Sequence, residues 1–120
     1  MEQTPVTAER SQAPAKDANC DSIPASEMTQ RASEAAAFMK ALAHEGRMMI
    51  LCHLSSGEKT VTELEQLLDQ RQAAVSQQLA RLRSEGLVSC RRDGKARLYS
   101  VSDPRAAQVV GLMYQLFCAG

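Results

Sequence analysis

Apolar and polar positions recur along this chain with two periods, one near that of an α-helix and one of two residues, and the change between them marks its elements. Residues 1 to about 25 carry neither. Pro5, Pro14 and Pro24 lie there among Thr, Ser, Ala, Gln, Glu and Asp, a composition without an apolar face that predicts a disordered tail. Helical spacing then sets in. Ser26 is a candidate N-cap with Glu27 in the first turn. Met28, Ala32, Ala35, Ala36 and Met39 share a stripe that faces either a core or a pairing partner. A second helix is expected from about Ala41 to Ser55, ended by Gly57. Its run Met48-Met49-Ile50-Leu51-Cys52 is apolar all round, the mark of a helix in the middle of a domain, so Cys52 is expected to be at least partly sheltered.

A third helix is predicted from about Val61 to Leu68, capped by Thr60 or Thr62, with Leu64, Leu67 and Leu68 facing inward. Residues 69 to 71 make a turn. A fourth helix runs from about Gln72 to Glu85, burying Val75, Leu79 and Leu82 and presenting Ala73, Gln77, Ala80, Arg81 and Ser84 on the opposite face. It lacks an obvious cap, since Asp69 comes early and Gln70-Arg71 cap poorly. Gly86 suits the position just past its end. Residues 87–92 and 97–101 then read as two short strands around an Asp93-Gly94 turn. Asp103 and Pro104 open a last helix whose wide apolar stripe is Ala106, Val109, Val110, Met113, Leu116 and Phe117, with Cys118 near its reverse side. The fold class is therefore mainly α with a two-stranded β-hairpin, in the order α-α-α-α-β-β-α. Helix, turn, helix and hairpin in succession make a winged helix-turn-helix, a reader of duplex DNA, over residues 26–120.

Composition refines this picture. The 120 residues fit one domain with a tail; Trp is absent and aromatics are few, so Leu, Val, Ala and Met must do the packing. Lys plus Arg equals Asp plus Glu, at 14 each, and a neutral sum argues against a DNA binder. The distribution reverses that inference. From Arg71 to Arg105 the acids are only Glu85, Asp93 and Asp103 among many arginines, so this window is net basic and the remainder net acidic. No apolar run approaches a membrane span, and Met1-Glu2-Gln3 begins neither the basic nor the apolar part of a signal peptide. A cytoplasmic protein without a membrane partner is expected. In a reducing compartment its four cysteines read as buried, metal-binding or reactive rather than as a disulfide framework.

The groups suited to DNA cluster on the predicted reader. Gln bonds adenine through two hydrogen bonds and Ser pairs more loosely, so Gln72, Ser76, Gln77 and Gln78 are candidates for base edges. Arg81 is placed for a phosphate or a guanine. Arg91, Arg92, Lys95 and Arg97, on or beside the hairpin, are placed for the backbone or the minor groove.

Three segments also carry a family resemblance. Residues 42–51, Leu-Ala-His-Glu-Gly-Arg-Met-Met-Ile-Leu, resemble the second-helix signature of the ArsR/SmtB repressors. Residues 74–88 resemble the recognition helix and wing entry of that family, and Arg92-Asp93-Gly94-Lys95 with Leu98-Tyr99-Ser100-Val101 resemble its wing. The resemblance implies a homodimer built from the first and last helices, bound to an inverted-repeat operator and repressing transcription until an inducer arrives.

For the inducer, many members of the family bind metal through a Cys-x-Cys pair on the third helix, where this chain has Glu63-Leu64-Glu65-Gln66, or through Asp and His on the last helix, where Asp103 is followed by no His. The histidines, His44 and His53, fall on different faces of the second helix. No metal and no cofactor are expected. Cys52 and Cys118 instead resemble the thiol pair of the family's persulfide-sensing branch, some members of which carry a further tail cysteine, as Cys20 is here. That resemblance implies a reduced dimer bound to DNA and released when a persulfide inducer links Cys52 to Cys118 by a polysulfide, or oxidation links them by a disulfide. Cys90, on the first strand, has no place in that pattern and reads as structural or accessory. Metal-responsive and peroxide-responsive repressors remain alternatives. A thiol enzyme is disfavoured, because an activating base or oxyanion site is needed and only His53 lies next to Cys52.

Overall fold

Residues 22–119 are described by a computed structural model. Its elements are α1 (Ala25–Leu42), α2 (Glu45–Leu54), α3 (Val61–Leu68), α4 (Gln72–Ser84), β1 (Val88–Asp93), β2 (Ala96–Val101) and α5 (Pro104–Phe117). The order is the expected one. The chain divides into two compact units after Phe38, within α1. The tail expected over residues 1 to about 25 lies almost wholly outside the described residues, and Cys20 lies outside them too.

In the first unit, α1 begins two residues earlier than expected. The Met28 amide already bonds the Pro24 carbonyl at 2.9 Å, so Ser26 sits inside the first turn and is not its cap. The stripe of Met28, Ala32, Ala35, Ala36 and Met39 does not become core: Met28 is half-buried and the other four are exposed.

In the second unit, α2 is the hub and packs against α3, α4 and α5. It starts four residues later than expected, because Ala41 and Leu42 finish α1 and His44 caps α2. The His44 Nδ1 accepts the Gly46 amide at 3.0 Å. Gly46 is buried beneath that ring: a Cβ there would lie 3.2 Å from the imidazole Cε1. Of the apolar run, Ile50 and Leu51 are fully buried, while Met49 and Cys52 are exposed, Cys52 more so than its apolar neighbours suggested. Each large side chain fully buried in such a core contributes about 1.5–3 kcal/mol.

The next helix matches its expected bounds, with Thr60 as its cap. Thr60 Oγ1 accepts the Glu63 amide at 3.1 Å and the Glu63 carboxylate accepts the Thr60 amide at 2.8 Å, a reciprocal capping box. Leu64 and Leu68 are buried, whereas Leu67 is 49% exposed and not inward as expected. Asp69 ends α3 in the left-handed region at φ 53° and opens the turn. Val75, Leu79 and Leu82 are buried in α4, and Ala73, Gln77, Ala80, Arg81 and Ser84 are exposed, both as expected. Gly86, at φ 77°, reverses the chain into the hairpin.

The hairpin register runs from Val88↔Val101 to Asp93↔Ala96. Its two turn residues are therefore Gly94 and Lys95, one position later than the expected Asp93-Gly94, and Gly94 supplies the positive φ of 65°. A backbone bridge joins Lys59 to Tyr99 (amide to carbonyl 3.1 and 2.8 Å), so the segment before α3 extends the small sheet by one residue. Asp103 caps α5 by accepting the Arg105 amide at 2.8 Å, with Pro104 at the first position. Ala106 and Val110 are buried, but toward its end α5 exposes Leu112, Tyr114, Leu116 and Phe117, so the expected stripe is only half covered.

Candidate nucleic-acid interface and dithiol cavity

The candidate reading face comprises α4 and the hairpin. No side chain caps α4, because Arg71 occupies that position without a side-chain bond, so its first amides stay available to solvent or ligand. Gln72 and Gln77 are exposed and Ser76 is half-buried. Gln78 is turned toward α2, where its Oε1 accepts from Arg47 Nη1 at 3.4 Å. Arg47 is itself fixed by its Nε on the Ala41 carbonyl at 2.7 Å. Gln78, a candidate for base edges, thus also ties α4 to the start of α2.

The basic residues separate into two groups. Arg81 pairs with Glu85 at 3.2 Å along the helix. Arg91 grips Glu58 through two bonds of 2.7 and 2.8 Å, a bidentate pair that holds the Glu58 carboxyl below the usual carboxylate range. Arg92, Lys95 and Arg97 are exposed and have no ion pair among the described residues. Arg83, which sequence reasoning passed over, belongs with them. It lines a notch of about 340 Å³ between α4 and the hairpin, together with Ser76, Ser84 and Tyr99. Its position seven residues after Ser76, on the same helical face, was the available signal.

On another part of the same unit, Cys52 of α2 and Cys118, the C-cap of α5, line one cavity of about 320 Å³. The remaining walls are Met48, Met113, Tyr114 and Phe117. Cys118 thus shares a wall with Met113 and Phe117, where the reverse side of the helix was expected; α5 ends at Phe117, and Cys118 is its C-cap. Both thiols are solvent-accessible. Partial desolvation pushes the Cys52 thiol above its ordinary value, and the nearby Cys118 adds to the rise, because two thiolates repel.

Cys90 is half-buried on β1 opposite Tyr99. Burial first, and then Cys90, raise the Tyr99 hydroxyl above its ordinary value. His44 is engaged in capping and His53 is half-buried. Among the described residues no three of His, Cys, Asp and Glu gather in one place. None of the described helices is long and apolar enough to cross a membrane.

Similar proteins bear on the identity of this arrangement. Residues 44–89 match the family described as "Bacterial regulatory protein, arsR family". The biofilm growth-associated repressor of Agrobacterium fabrum (strain C58 / ATCC 33970) is 44% identical over 97 residues, covering 81% of this chain and 83% of that protein. The crystal structure of the transcriptional repressor BigR from Xylella fastidiosa superposes with a TM-score of 0.74 at 42% identity, over 80% of this chain and 95% of that one. Reduced HlyU from Vibrio cholerae N16961 superposes with a TM-score of 0.74 at 37% identity, over 77% and 97%. The winged helix-turn-helix expected from the residue pattern is the fold these proteins share, and the chain belongs to the arsR family of bacterial regulatory proteins, as a DNA-binding transcriptional regulator and not an enzyme.

Proposed function

We propose that this chain is a dithiol repressor that holds operator DNA when reduced and releases it when a persulfide links Cys52 to Cys118. The single observation carrying this reading is the shared cavity, which sets one thiol of α2 beside one thiol at the end of α5. The names of the Agrobacterium and Xylella proteins as repressors support the direction of control. Gln72, Ser76 and Gln77 read base edges. Arg81, Arg92, Lys95 and Arg97 hold the phosphate backbone, with Arg91 reaching it only by leaving Glu58. The protein acts as a homodimer across an inverted-repeat operator. Leu112, Leu116 and Phe117 on α5, and the uncovered stripe of α1, supply the apolar surface that pairing needs.

The chemistry balances with the donor as oxidant. The Cys52 thiolate attacks the outer sulfur of a persulfide R–S–SH, giving Cys52–S–SH and expelling RS⁻; Cys118 reacts likewise. The Cys52 persulfide anion then attacks the inner sulfur of Cys118–S–SH. A trisulfide forms and HS⁻ leaves. A covalent bridge between α2 and α5 biases the pairing surface against the geometry that fits DNA.

The test combines operator binding with mass spectrometry of protein treated with glutathione persulfide. The expected product is an internal bridge between Cys52 and Cys118 that retains added sulfur, with loss of operator binding. Cys52→Ser and Cys118→Ser should bind the operator as the parent does and stay bound after treatment. Release that persists in both variants rejects the reading. Release by hydrogen peroxide at equal dose, through a plain disulfide, favours a peroxide sensor.

A further inference from the structure

The cavity between α2 and α5 contains more sulfur than a two-thiol relay uses. Four of its six lining residues carry sulfur: Cys52, Cys118, Met48 and Met113. The other two, Tyr114 and Phe117, are aromatic, and no carboxylate, imidazole or ammonium lines the wall. Two thiols and two thioethers around one small space form a soft donor set.

We propose that this cavity is a binding site for a monovalent soft metal ion, copper(I), held by Cys52 and Cys118 with Met48 and Met113 as supporting thioether donors. The site is distinct in chemistry from the persulfide relay and does not depend on it. Binding is a proton exchange without redox change: a cysteine thiol gives up its proton, its sulfur bonds the metal, and the proton leaves to solvent.

Three physical arguments select this ion. Thiolate and thioether sulfur prefer soft d¹⁰ copper(I) over harder divalent ions. Charge points the same way. One thiolate neutralises a monovalent ion, leaving an uncharged core that an apolar wall tolerates, whereas a divalent ion stays charged until both thiols ionise. Zinc, which takes Cys, His and carboxylate ligands in closed four-coordinate sites, finds only two such ligands here.

The full-length reduced protein should be titrated anaerobically with copper(I) buffered by bicinchoninate, with zinc(II) titrated separately. One copper(I) per chain is expected, with far weaker zinc binding. Cys52→Ser and Cys118→Ser should each abolish uptake. Met48→Leu and Met113→Leu keep size and apolarity; each should weaken copper(I) by roughly 10-fold or more, no less than the loss of an outer-shell support, while persulfide-driven release from the operator is unchanged. Operator binding by each reduced variant checks that it folds. Copper(I) uptake that survives both serine variants, or methionine variants that bind as the parent does, overturns the site. Failure of persulfide release with intact copper(I) binding rejects the proposed function and leaves this site standing.

Discussion

The reading face and the far end of α5 are built on opposite plans. Around α4, each apolar side chain that faces inward is fully enclosed, and the surrounding segments are tied by specific bonds: the Thr60 capping box, the Lys59–Tyr99 bridge, Arg47 on Gln78 and Glu58 on Arg91. Toward the end of α5 the large apolar side chains face solvent, with Phe117 at 79% exposure, and the helix stops at the cysteine that lines the cavity. A surface that matches a rigid duplex gains from being held in advance. An element that must answer a ligand gains from having few bonds to break.

That contrast is breakable by substitution. The largest effect is expected in the enclosed half: Leu79→Ala leaves a cavity beneath α4 and should cost about 2–5 kcal/mol in urea unfolding, with loss of operator binding. Thr60→Ala removes one arm of the capping box and should cost about 1 kcal/mol by the same measurement. Leu116→Ala, at 63% exposure, should change the stability of a single chain by less than about 0.5 kcal/mol. Its effect should show instead as weaker self-association in sedimentation, and a dimer of unchanged affinity would remove α5 from the pairing surface.

Protonation gives the smallest and most local tests. The folded protein lowers both Glu58, through Arg91, and Asp103, through Arg105. Their contributions are therefore complete above the ordinary carboxylate range and are lost as pH falls through the lowered values. Acid should lower the protection factors of the Lys59 and Tyr99 amides before global unfolding, and Glu58→Gln should reproduce this at neutral pH. Cys52 shifts the opposite way. Its thiolate, and with it the rate of alkylation, should keep climbing above the pH at which an unperturbed thiol has levelled off.

What could be read from the residues alone follows the same division. Val75, Leu79 and Leu82, the Thr60 and Asp103 caps and Gly86 were legible because spacing and capping chemistry act locally. The start of α2 was not, because a histidine ring does the work usually given to Ser, Thr, Asp or Asn. Leu67 and the end of α5 misled for another reason: helical spacing marks an apolar stripe but does not tell whether the rest of the chain covers it. The hairpin turn was placed one residue early because both Asp93 and Gly94 favour turns, and only the pairing of Asp93 with Ala96 decides between the registers. In the cavity, both cysteines had been singled out from the sequence, but the companion methionines were read as packing alone. The bonds of Arg47 to Gln78 and of Glu58 to Arg91 were not legible, because each joins residues far apart in the sequence.

The bridge between Lys59 and Tyr99 makes the hairpin a cantilever with a clamped root. Extra residues at Gly94-Lys95 lengthen its reach without altering its aim. Extra residues between Ser55 and Glu58 act on the clamp itself, and with it on the direction the hairpin takes.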